Sequence, residues 1–370
     1  MFKRYFYKEM LESIQNNDIT ILTGLPYSGK TTALKYCLQN IKNNKLSIDL
    51  NNFNNQKSFQ AENINSIALL FEKEGINTEE TIYIALDNTH EVDNICTSII
   101  NISQKYNVKY ILTSNINTHL VQLFDKFQVG WYDITPLAFD EFLVLKNIEY
   151  QYTENWDEKM YEQESYQKLL PYYEQYLLWG GLFPIIKEKN ENNKKEIMNE
   201  IISLYLEQNI EKYFQSRNIE SVKSIITHIG LSIGEGINIT ELSLRCGISR
   251  PTTLQYLRNL KNSNLILSQS EESSGARPVM YFTDNGILNS LSDTNEMQKF
   301  DNSLFNQLRI DRYRNPPKSD AMLIESKLYP TKLDYQKLKK HANKYDIEKY
   351  IIIGKKATPK FKNFIWAGNI

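Results

Sequence analysis

Short apolar runs alternate with helix-spaced apolar positions through the first third of the chain. The runs predict five buried strands, at residues 20–22, 46–50, 82–86, 110–113 and 131–134. Apolar residues at helical spacing predict helices between them, at residues 33–41, 64–71 and 99–106. Because strands alternate with helices, the pattern predicts an α/β domain built on a parallel sheet that helices cover on both faces.

The pattern changes after Pro136. Helical, aromatic-rich segments at residues 139–145, 161–179 and 197–214 predict a small helical lid. Three short helices follow between residues 222 and 267, then a strand at 279–282, and mixed strands and helices from about residue 301. We therefore expect four parts, at residues 1–137, 138–218, 219–297 and 298–370. The asparagine-rich stretches 51–55 and 190–195 are predicted to be loops.

Composition narrows the classes of protein to consider. The chain has 370 residues and a net charge of −1, so no global charge indicates a nucleic acid or a membrane as partner. Its three cysteines and four histidines do not cluster, which predicts neither disulfides nor a zinc site. No apolar run reaches the roughly 18 residues of a membrane span, and no signal-peptide pattern opens the chain. The expected compartment is the cytoplasm, with no membrane partner.

A glycine-framed motif joins the first predicted strand to the first helix. GLPYSGKT, from Gly24 to Thr31, fits the GxxxxGK[ST] pattern of a phosphate-binding loop. In such a loop, backbone N–H groups surround the phosphates of ATP, the lysine contacts the β- and γ-phosphates, and the hydroxyl binds Mg²⁺. The predicted nucleotide-binding residues are Gly24, Pro26, Tyr27, Ser28, Gly29, Lys30, Thr31 and Thr32.

The next strands end in polar residues that suit the same site. Asp87 ends an apolar strand and is predicted to hold Mg²⁺ together with Thr31. Hydrolytic enzymes of this kind place a glutamate next, as base for the attacking water, but here the residue is Asn88, which cannot accept a proton. Glu91 or His90 could substitute. Asn115, after the following strand, could sense the γ-phosphate or cap a helix.

Residues 239–260 read as two helices joined by a tight turn. Gly247 ends the first helix and Ser249 caps the second, an arrangement typical of a helix-turn-helix that reads DNA. The residues predicted to contact DNA are Arg250, Thr252, Gln255 and Arg258. Such modules also mediate protein contacts, and Glu271 and Glu272 in the predicted wing would repel phosphate.

The C-terminal part carries a short acidic motif, IESK, from Ile324 to Lys327. On a strand, Glu325 and Lys327 face the same side, as a metal-dependent nuclease requires, and Asp320 precedes them. A degenerate fold used for packing or partner binding is the alternative. Lysines also cluster between residues 327 and 362, which predicts either a basic surface or a solvated lysine-rich face.

Taken in order, these motifs resemble a known family, the prokaryotic AAA-type ATPases with a winged helix and a C-terminal domain related to restriction endonucleases. The segments that carry the resemblance are GLPYSGKTT from Gly24, the strand ending at Asp87, LTSN from Leu112, PLAFDEF from Pro136, WGGLFP from Trp179, residues 249–260, YFTDNGIL from Tyr281 and IESK from Ile324. The family has Asp-Glu where this chain has Asp87-Asn88. It also has Gly-Arg where this chain has Phe127-Gln128, with only Lys126 nearby.

The resemblance implies an AAA-type P-loop sheet with a helical lid, a winged helix and a small α/β C-terminal domain. AAA sites often take an arginine from a neighbouring subunit, so a homo-oligomer is one expectation. Asn88 in place of the family's glutamate and Gln128 in place of its arginine favour an ATP-binding switch with slow or absent hydrolysis. Association with DNA through the second helix of the turn is a further expectation. An active ATPase using Glu91 or His90, a DNA-binding regulator and a metal-dependent nuclease remain alternatives.

Overall fold

Five parallel strands form the sheet that the apolar runs predict. They are β1 (Ile19–Thr23), β2 (Lys45–Asp49), β3 (Ile82–Asp87), β4 (Val108–Ser114) and β5 (Val129–Asp133). The strand order is β2-β3-β4-β1-β5, and every neighbouring pair is parallel. All five residues of β1 are buried, as expected for a strand with partners on both sides and helices on both faces. The predicted α/β class is thereby confirmed.

The computed structural model describes residues 4–42, 44–59, 64–150, 162–213, 218–269, 277–314, 322–356 and 363–370. It divides into two compact units. The first unit comprises Met1–Thr135, Glu207–Phe214 and Arg258–Leu265. The second unit comprises Pro136–Leu206, Gln215–Leu257 and Ile266–Ile370.

Helices cover both faces of the first unit's sheet. They are α1 (Tyr7–Asn16), α2 (Lys30–Asn40), α3 (Phe53–Ser58), α4 (Ile64–Lys73) and α5 (Ile95–Lys105), with 3-10 turns at Thr89–Glu91 and Thr118–Asp125. Strand residues alternate between two cores because side chains along a strand point to opposite faces. On β3, Ile84 and Leu86 join the core beneath α4 and α5, whereas Ala85 joins the core beneath α1 and α2.

The asparagine-rich stretches are not loops, which corrects the sequence prediction. Asn52 begins α3, and its side chain accepts a hydrogen bond from the N–H of Asn54. Asn190 begins a helix in the same way, accepting from the N–H groups of Asn192 and Asn193. Asparagine is unfavourable inside helices but favourable at their N-caps, so these polar runs mark helix starts.

The second unit is mostly helical. Its helices are α6 (Phe139–Leu145), α7 (Gln163–Trp179), α8 (Phe183–Lys187), α9 (Glu191–Tyr205), α10 (Ile219–Leu231), α11 (Ile239–Arg245), α12 (Arg250–Asn262), α13 (Asn285–Leu291), α14 (Glu296–Arg314) and α15 (Lys332–Lys344). The last residues of α12 belong to the first unit. A short antiparallel pair, β6 (Ile266–Ser268) and β7 (Met280–Phe282), follows α12, and Val279 forms a bridge with Gly236.

A second parallel sheet lies near the C-terminus. Its strands are β8 (Met322–Lys327), β9 (Lys349–Gly354) and β10 (Phe364–Trp366), in the order β10-β9-β8. Helix α15 joins β8 to β9, which makes a β-α-β unit of the predicted small α/β kind. Trp366 is almost completely buried, and its indole N–H donates to the carbonyl oxygen of Lys355 at 3.0 Å.

Three of the sequence motifs contact one another within the second unit. The N–H of Gly181 donates to Asp284 Oδ2 at 2.7 Å, and Asp284 Oδ1 caps α13 by accepting from the N–H of Ile287 at 3.1 Å. The N–H of Leu137 donates to the carbonyl oxygen of Gly181 at 2.8 Å. A Cβ on Gly286 would lie 2.3 Å from the carbonyl oxygen of Trp179, so only glycine fits there. PLAFDEF, WGGLFP and YFTDNGIL therefore meet as one packing centre.

We predict that Asp284→Ala destabilises the second unit by about 1–3 kcal/mol. The substitution removes the N-cap of α13 and leaves the buried N–H of Gly181 without its carboxylate partner. Urea unfolding followed by circular dichroism measures this loss. Asp293→Ala is the matched control, because Asp293 is exposed and its replacement should change stability by less than about 0.5 kcal/mol.

The cost of Asp284→Ala should also depend on pH. Burial raises the pKa of Asp284 from 3.8 to about 6. The unfolded chain therefore loses this proton first, and the folded state loses stability as the pH rises from about 4 to 6. We expect the variant to cost roughly 1 kcal/mol more at pH 5 than at pH 7.5. An equal cost at both values would show that the folded and unfolded states share one pKa.

Candidate nucleotide-binding site

The loop between β1 and α2 has the backbone that a phosphate-binding turn requires. Gly24 has φ +150°, and a Cβ there would lie 2.3 Å from the carbonyl oxygen of Ile134. Tyr27 and Gly29 both have positive φ, at 62° and 105°. Reversals of this kind turn successive N–H groups to one side and form an anion-binding concavity. Gly29 leads directly into α2, so the N-terminus of that helix faces the same concavity.

Lys30 lies inside this loop. Its Nζ donates to the carbonyl oxygens of Gly24 at 2.9 Å and Leu25 at 2.7 Å. Burial lowers the pKa of Lys30 to about 7, although the charge of Asp87 acts in the opposite direction. A phosphate would give this amine an anionic partner in place of two neutral carbonyls, which stabilises the charged form.

Thr31 and Asp87 come together from different elements. Thr31 Oγ1 donates to Asp87 Oδ2 at 2.8 Å, from the start of α2 to the end of β3. The hydroxyl of Thr113, on the neighbouring strand β4, donates to the other oxygen, Oδ1. A hydroxyl and a carboxylate at this spacing are the oxygen ligands that Mg²⁺ takes beside a phosphate. The predicted pair is therefore brought together.

The remaining loop residues also fit a nucleotide. Ser28 Oγ is buried and has no hydrogen-bond partner among the residues that the structure describes, so it is a polar atom that a phosphate oxygen could satisfy. Pro26 is buried in the turn, whereas Tyr27 is 48% exposed. Thr32 is exposed beside Thr31 in the first turn of α2.

Asn88 is held at two points. It has a left-handed backbone, with φ 63° and ψ 48°, which asparagine tolerates better than most residues. Its backbone N–H donates to Thr113 Oγ1 at 2.9 Å, and its side-chain Nδ2 donates to Asp49 Oδ1 at 3.0 Å. Sequence reasoning missed Asp49. The only available signal was a carboxylate close to the end of a predicted strand. In the structure Asp49 ends β2 as Asp87 ends β3, and the two residues are register partners.

Glu91 and Asn115, the predicted catalytic pair, meet through His90. Nδ2 of Asn115 lies 3.1 Å from His90 Nε2, and Glu91 Oε1 lies 3.8 Å from the same nitrogen. His90 and Asn115 are buried, and the side chain of Glu91 is 12% exposed. Oδ1 of Asn115 is buried with no hydrogen-bond partner within the described part of the chain. The three residues thus form one polar cluster beside the ends of β3 and β4.

The contacts that Arg4 makes with the phosphate-binding turn were not predicted. Arg4 is buried, and its Nη1 donates to the carbonyl oxygens of Thr135 at 2.8 Å and Ser28 at 3.3 Å. Its guanidinium also lies 4.9 Å from the ring centre of Phe6. The N-terminal segment is therefore hydrogen-bonded to the phosphate-binding turn through Arg4. A single arginine near the N-terminus carries no sequence signal for this role.

Gln128 lies at the end of the sheet where β1 begins, opposite the end that carries the phosphate-binding turn. Its carbonyl oxygen accepts from the N–H groups of Asp18 and Ile19, just before β1, whereas the phosphate-binding turn follows the far end of β1. A five-residue strand spans roughly 17 Å. A side chain at residue 128, or at the exposed Lys126, therefore does not reach this chain's own site.

Helices α11 and α12 begin and end close to the predicted positions. Gly247 has φ 66°, and Ser249 Oγ accepts from the N–H of Thr252 at 3.2 Å. Of the residues predicted to contact DNA, Arg250, Gln255 and Arg258 are exposed and Thr252 is half-buried. Glu271 and Glu272 lie outside the described residues.

The end of α12 is hydrogen-bonded to the loop after β4, within the first unit. The N–H of Asn117 donates to the carbonyl oxygen of Asn262 at 3.0 Å. The side chains of Asn117 and Asn264 exchange two hydrogen bonds, at 3.3 and 3.4 Å. Asn117 lies two residues after Asn115. A path of hydrogen-bonded and adjacent residues therefore leads from the polar cluster to α12.

Glu325 and Lys327 face the same side of β8, as predicted, and form an ion pair at 2.9 Å. The hydrogen bond from Lys327 to this carboxylate raises the pKa of Lys327. Asp320 lies outside the described residues. Within the part of the chain that is described, no three histidine, cysteine, aspartate or glutamate side chains are grouped so that they could hold a metal ion.

The lysine cluster divides into two groups. Five lysines of α15 are exposed: Lys332, Lys337, Lys339, Lys340 and Lys344. Lys355 is buried instead, and it pairs with Glu174 at 2.8 Å and with Glu296. Lys356 pairs with Glu174 at 2.9 Å. Among the lysines of the cluster that the structure describes, Lys349 at the start of β9 is also exposed, so the basic surface consists mainly of the α15 group.

None of the helices within the described residues is long and apolar enough to cross a membrane.

Comparison with known proteins supports the assignment of the sheet. Residues 16–143 match the family described as AAA domain, and residues 170–298 match a domain of unknown function, DUF8612. A solved Walker-type ATPase of Pyrococcus abyssi shares the fold, with a TM-score of 0.51 and 16% identity over 79% of this chain and 96% of that one.

An uncharacterized protein of Methanocaldococcus jannaschii is 26% identical over 187 residues, which are 48% of this chain and 41% of that protein. The match thus spans about two fifths of the relative's length. The AAA-domain match covers the five-stranded sheet, the turn around Lys30 and the strand that ends at Asp87. The comparisons therefore support a nucleotide-binding protein of the AAA type, with the match to an AAA domain confined to residues 16–143.

Proposed function

We propose that this protein is an ATP-Mg-dependent switch that hydrolyses ATP slowly. The observation that carries the proposal is the arrangement around Asp87. The carboxylate lies 2.8 Å from the Thr31 hydroxyl, so the two groups are placed to hold Mg²⁺ together, but the next residue is Asn88, which cannot take a proton from water. The site therefore has the residues proposed to bind ATP and Mg²⁺, but it lacks the glutamate that usually serves as base for the attacking water.

Each residue of the turn has a proposed role. The N–H groups from Gly24 to Gly29 surround the β- and γ-phosphates, with Lys30 as the charged partner and Thr32 at the helix start. Thr31 and Asp87 hold Mg²⁺, which neutralises the phosphate charge when it is bound. Asn115 contacts the γ-phosphate side of the site. Turnover in an oligomer could also draw on an arginine from a second copy.

The proposed output of the switch is the end of α12. Asn115 and Asn117 lie on the same loop, and Asn117 is hydrogen-bonded to Asn262 and Asn264. A change at Asn115 on nucleotide binding therefore has a short path to the helix that carries the predicted DNA-contacting residues. The physical element that shifts is a loop held by a few neutral hydrogen bonds, which is a low-cost rearrangement.

We predict that Lys30→Ala lowers affinity for ATP-Mg by at least about 100-fold, because it removes the charged partner of two phosphates. Titration calorimetry with ATP-Mg measures this. Lys35→Ala is the matched control, since Lys35 is exposed on the same helix α2 and should keep wild-type affinity. Equal binding by wild type and Lys30→Ala would show that the nucleotide does not bind at this turn.

We predict that wild-type protein retains ATP and releases phosphate below roughly 0.1 s⁻¹, about two orders of magnitude under the median enzyme turnover. In the same samples, ATP-Mg should change amide hydrogen exchange at residues 117 and 262–265 relative to ADP-Mg. Asn117→Ala should abolish that change while ATP still binds. Rapid release, or exchange that is identical with both nucleotides, would contradict the switch.

The exposed polar residues of α12 favour DNA as a second partner besides ATP. Arg250, Gln255 and Arg258 are exposed on α12, the helix that follows the turn at Gly247. Arginine and glutamine are the side chains that read guanine and adenine edges in the major groove. The nuclease alternative has less support, because no three histidine, cysteine, aspartate or glutamate side chains among the described residues are grouped so that they could hold a metal ion beside Glu325.

We predict that Arg250→Ala and Arg258→Ala each weaken binding to duplex DNA by about 10-fold at 100 mM salt and reduce the salt dependence of affinity. Fluorescence anisotropy with labelled duplex measures both. Arg245→Ala is the control, because Arg245 is exposed but pairs with Glu241 at 2.7 Å on α11. If all three variants bind as wild type does, α12 is not a DNA-contacting helix.

A further inference from the structure

Asn88 is anchored so that one end of its amide is fixed and the other is not. A carboxylate only accepts hydrogen bonds, so the contact with Asp49 Oδ1 at 3.0 Å requires that Nδ2 of Asn88 faces Asp49. The backbone N–H is fixed separately by Thr113 Oγ1. Oδ1, an acceptor, is therefore the end of the amide that points away from Asp49, and the residue is partly exposed.

From this geometry we propose that Asn88 orients the attacking water through Oδ1, and that Asp49 is the positioning residue that holds its amide. The inference rests on the proposed function, because it concerns the slow hydrolysis of ATP bound at the same turn. A side-chain amide can orient an attacking water without taking its proton, a role that glutamine fills in other P-loop proteins.

Two further contacts support the assignment. Thr113 Oγ1 bonds both Asp87 and the N–H of Asn88, so one hydroxyl sets the positions of the proposed magnesium ligand and the proposed water-orienting residue. Asp49 Oδ1 also accepts from the N–H of Asn51 at 3.0 Å, which fixes the carboxylate against its own loop. Asn88 is thus held by both neighbouring strands, its side chain by β2 and its backbone N–H by β4.

Glu91 and His90, the other candidates for acting on the attacking water, are arranged differently. Glu91 Oε1 lies beside His90, and His90 lies beside Asn115, so this cluster is built on β4 and the turn after Asn88. Asn88 comes directly after Asp87, the residue that Thr31 contacts across the site. Asn88 is thus adjacent in the chain to the proposed magnesium ligand, whereas the side chain of Glu91 is engaged with His90.

The step balances without a protein base. The water oxygen forms a bond to the γ-phosphorus while the bond from that phosphorus to the bridging oxygen breaks. ADP leaves with the electron pair of the broken bond, and both water protons leave with inorganic phosphate. Asn88 accepts a hydrogen bond from the water and keeps no proton, which is consistent with slow turnover.

The test compares Asn88→Gly, Asn88→Asp, Asp49→Asn and the double variant Asp49→Asn with Asn88→Asp. Glycine removes the side chain and still accommodates φ 63°. The double variant exchanges amide and carboxylate, so one hydrogen bond between the two residues is restored in the reverse direction. Phosphate release, ATP-Mg affinity and affinity for ADP-Mg with aluminium fluoride, which mimics the transition state with its water, are measured for each.

We expect Asn88→Gly to lower phosphate release and affinity for ADP with aluminium fluoride by about 10-fold or more, with ATP-Mg affinity within about 3-fold of wild type. Asp49→Asn should show the same pattern more weakly, and the double variant should recover release above either single variant. Unfolding midpoints should stay at the wild-type value, which separates this role from a structural one.

Wild-type release in Asn88→Gly, or a double variant no better than Asp49→Asn alone, would overturn the assignment. So would equal losses of ATP and of the transition-state mimic, because that pattern indicates general disruption of the turn. If wild type binds ATP but releases no more phosphate than Lys30→Ala does, the water-orienting role is wrong and the binding switch stands. If wild type binds no ATP, the proposed function itself fails.

Discussion

The carboxylate of Asp87 organises the site, because hydroxyls from two other elements converge on it. Thr31 reaches it from the start of α2, and Thr113 reaches it from β4. A buried carboxylate is costly without such partners, so the ends of β3 and β4 and the first turn of α2 are held in one relative position. Lys30 and Asn88 are the chain neighbours of Thr31 and Asp87, so this constraint also places Lys30 inside the turn and Asn88 just beyond β3.

Much of the sheet could be predicted from the sequence, for a physical reason. The interior strands β1, β3 and β4 are almost fully buried and read as continuous apolar runs, whereas the edge strands β2 and β5 are only partly buried, although the sequence pattern predicts all five positions. The glycine-framed turn carries its own signature. Asp49 could not be assigned a role, because strand order is a long-range property. Only the pairing of β2 with β3 places Asp49 beside Asn88. The position of Gln128 at the far end of the sheet depended on register in the same way.

Local errors had local causes. Asn52 and Asn190 were read as loop residues from composition, but each caps a helix through its side chain. Thr253 lies among polar residues of α12, yet it is buried, and its hydroxyl donates to the carbonyl oxygen of Ser249. Short polar residues satisfy backbone groups nearby, so polarity alone does not separate a cap or a buried turn from a surface.

The amide pair between Asn117 and Asn264 has a consequence for how the protein would respond to ionic conditions. Both side chains are neutral, and neither titrates between acid and alkaline pH. Contacts of the exposed arginines of α12 with a polyanion would weaken steeply as counterions accumulate. In the proposed DNA-binding role of α12, raising the ionic strength should therefore weaken contact with nucleic acid while it leaves the internal link between loop and helix intact. Signal transmission and partner affinity would then be set by two independent kinds of interaction.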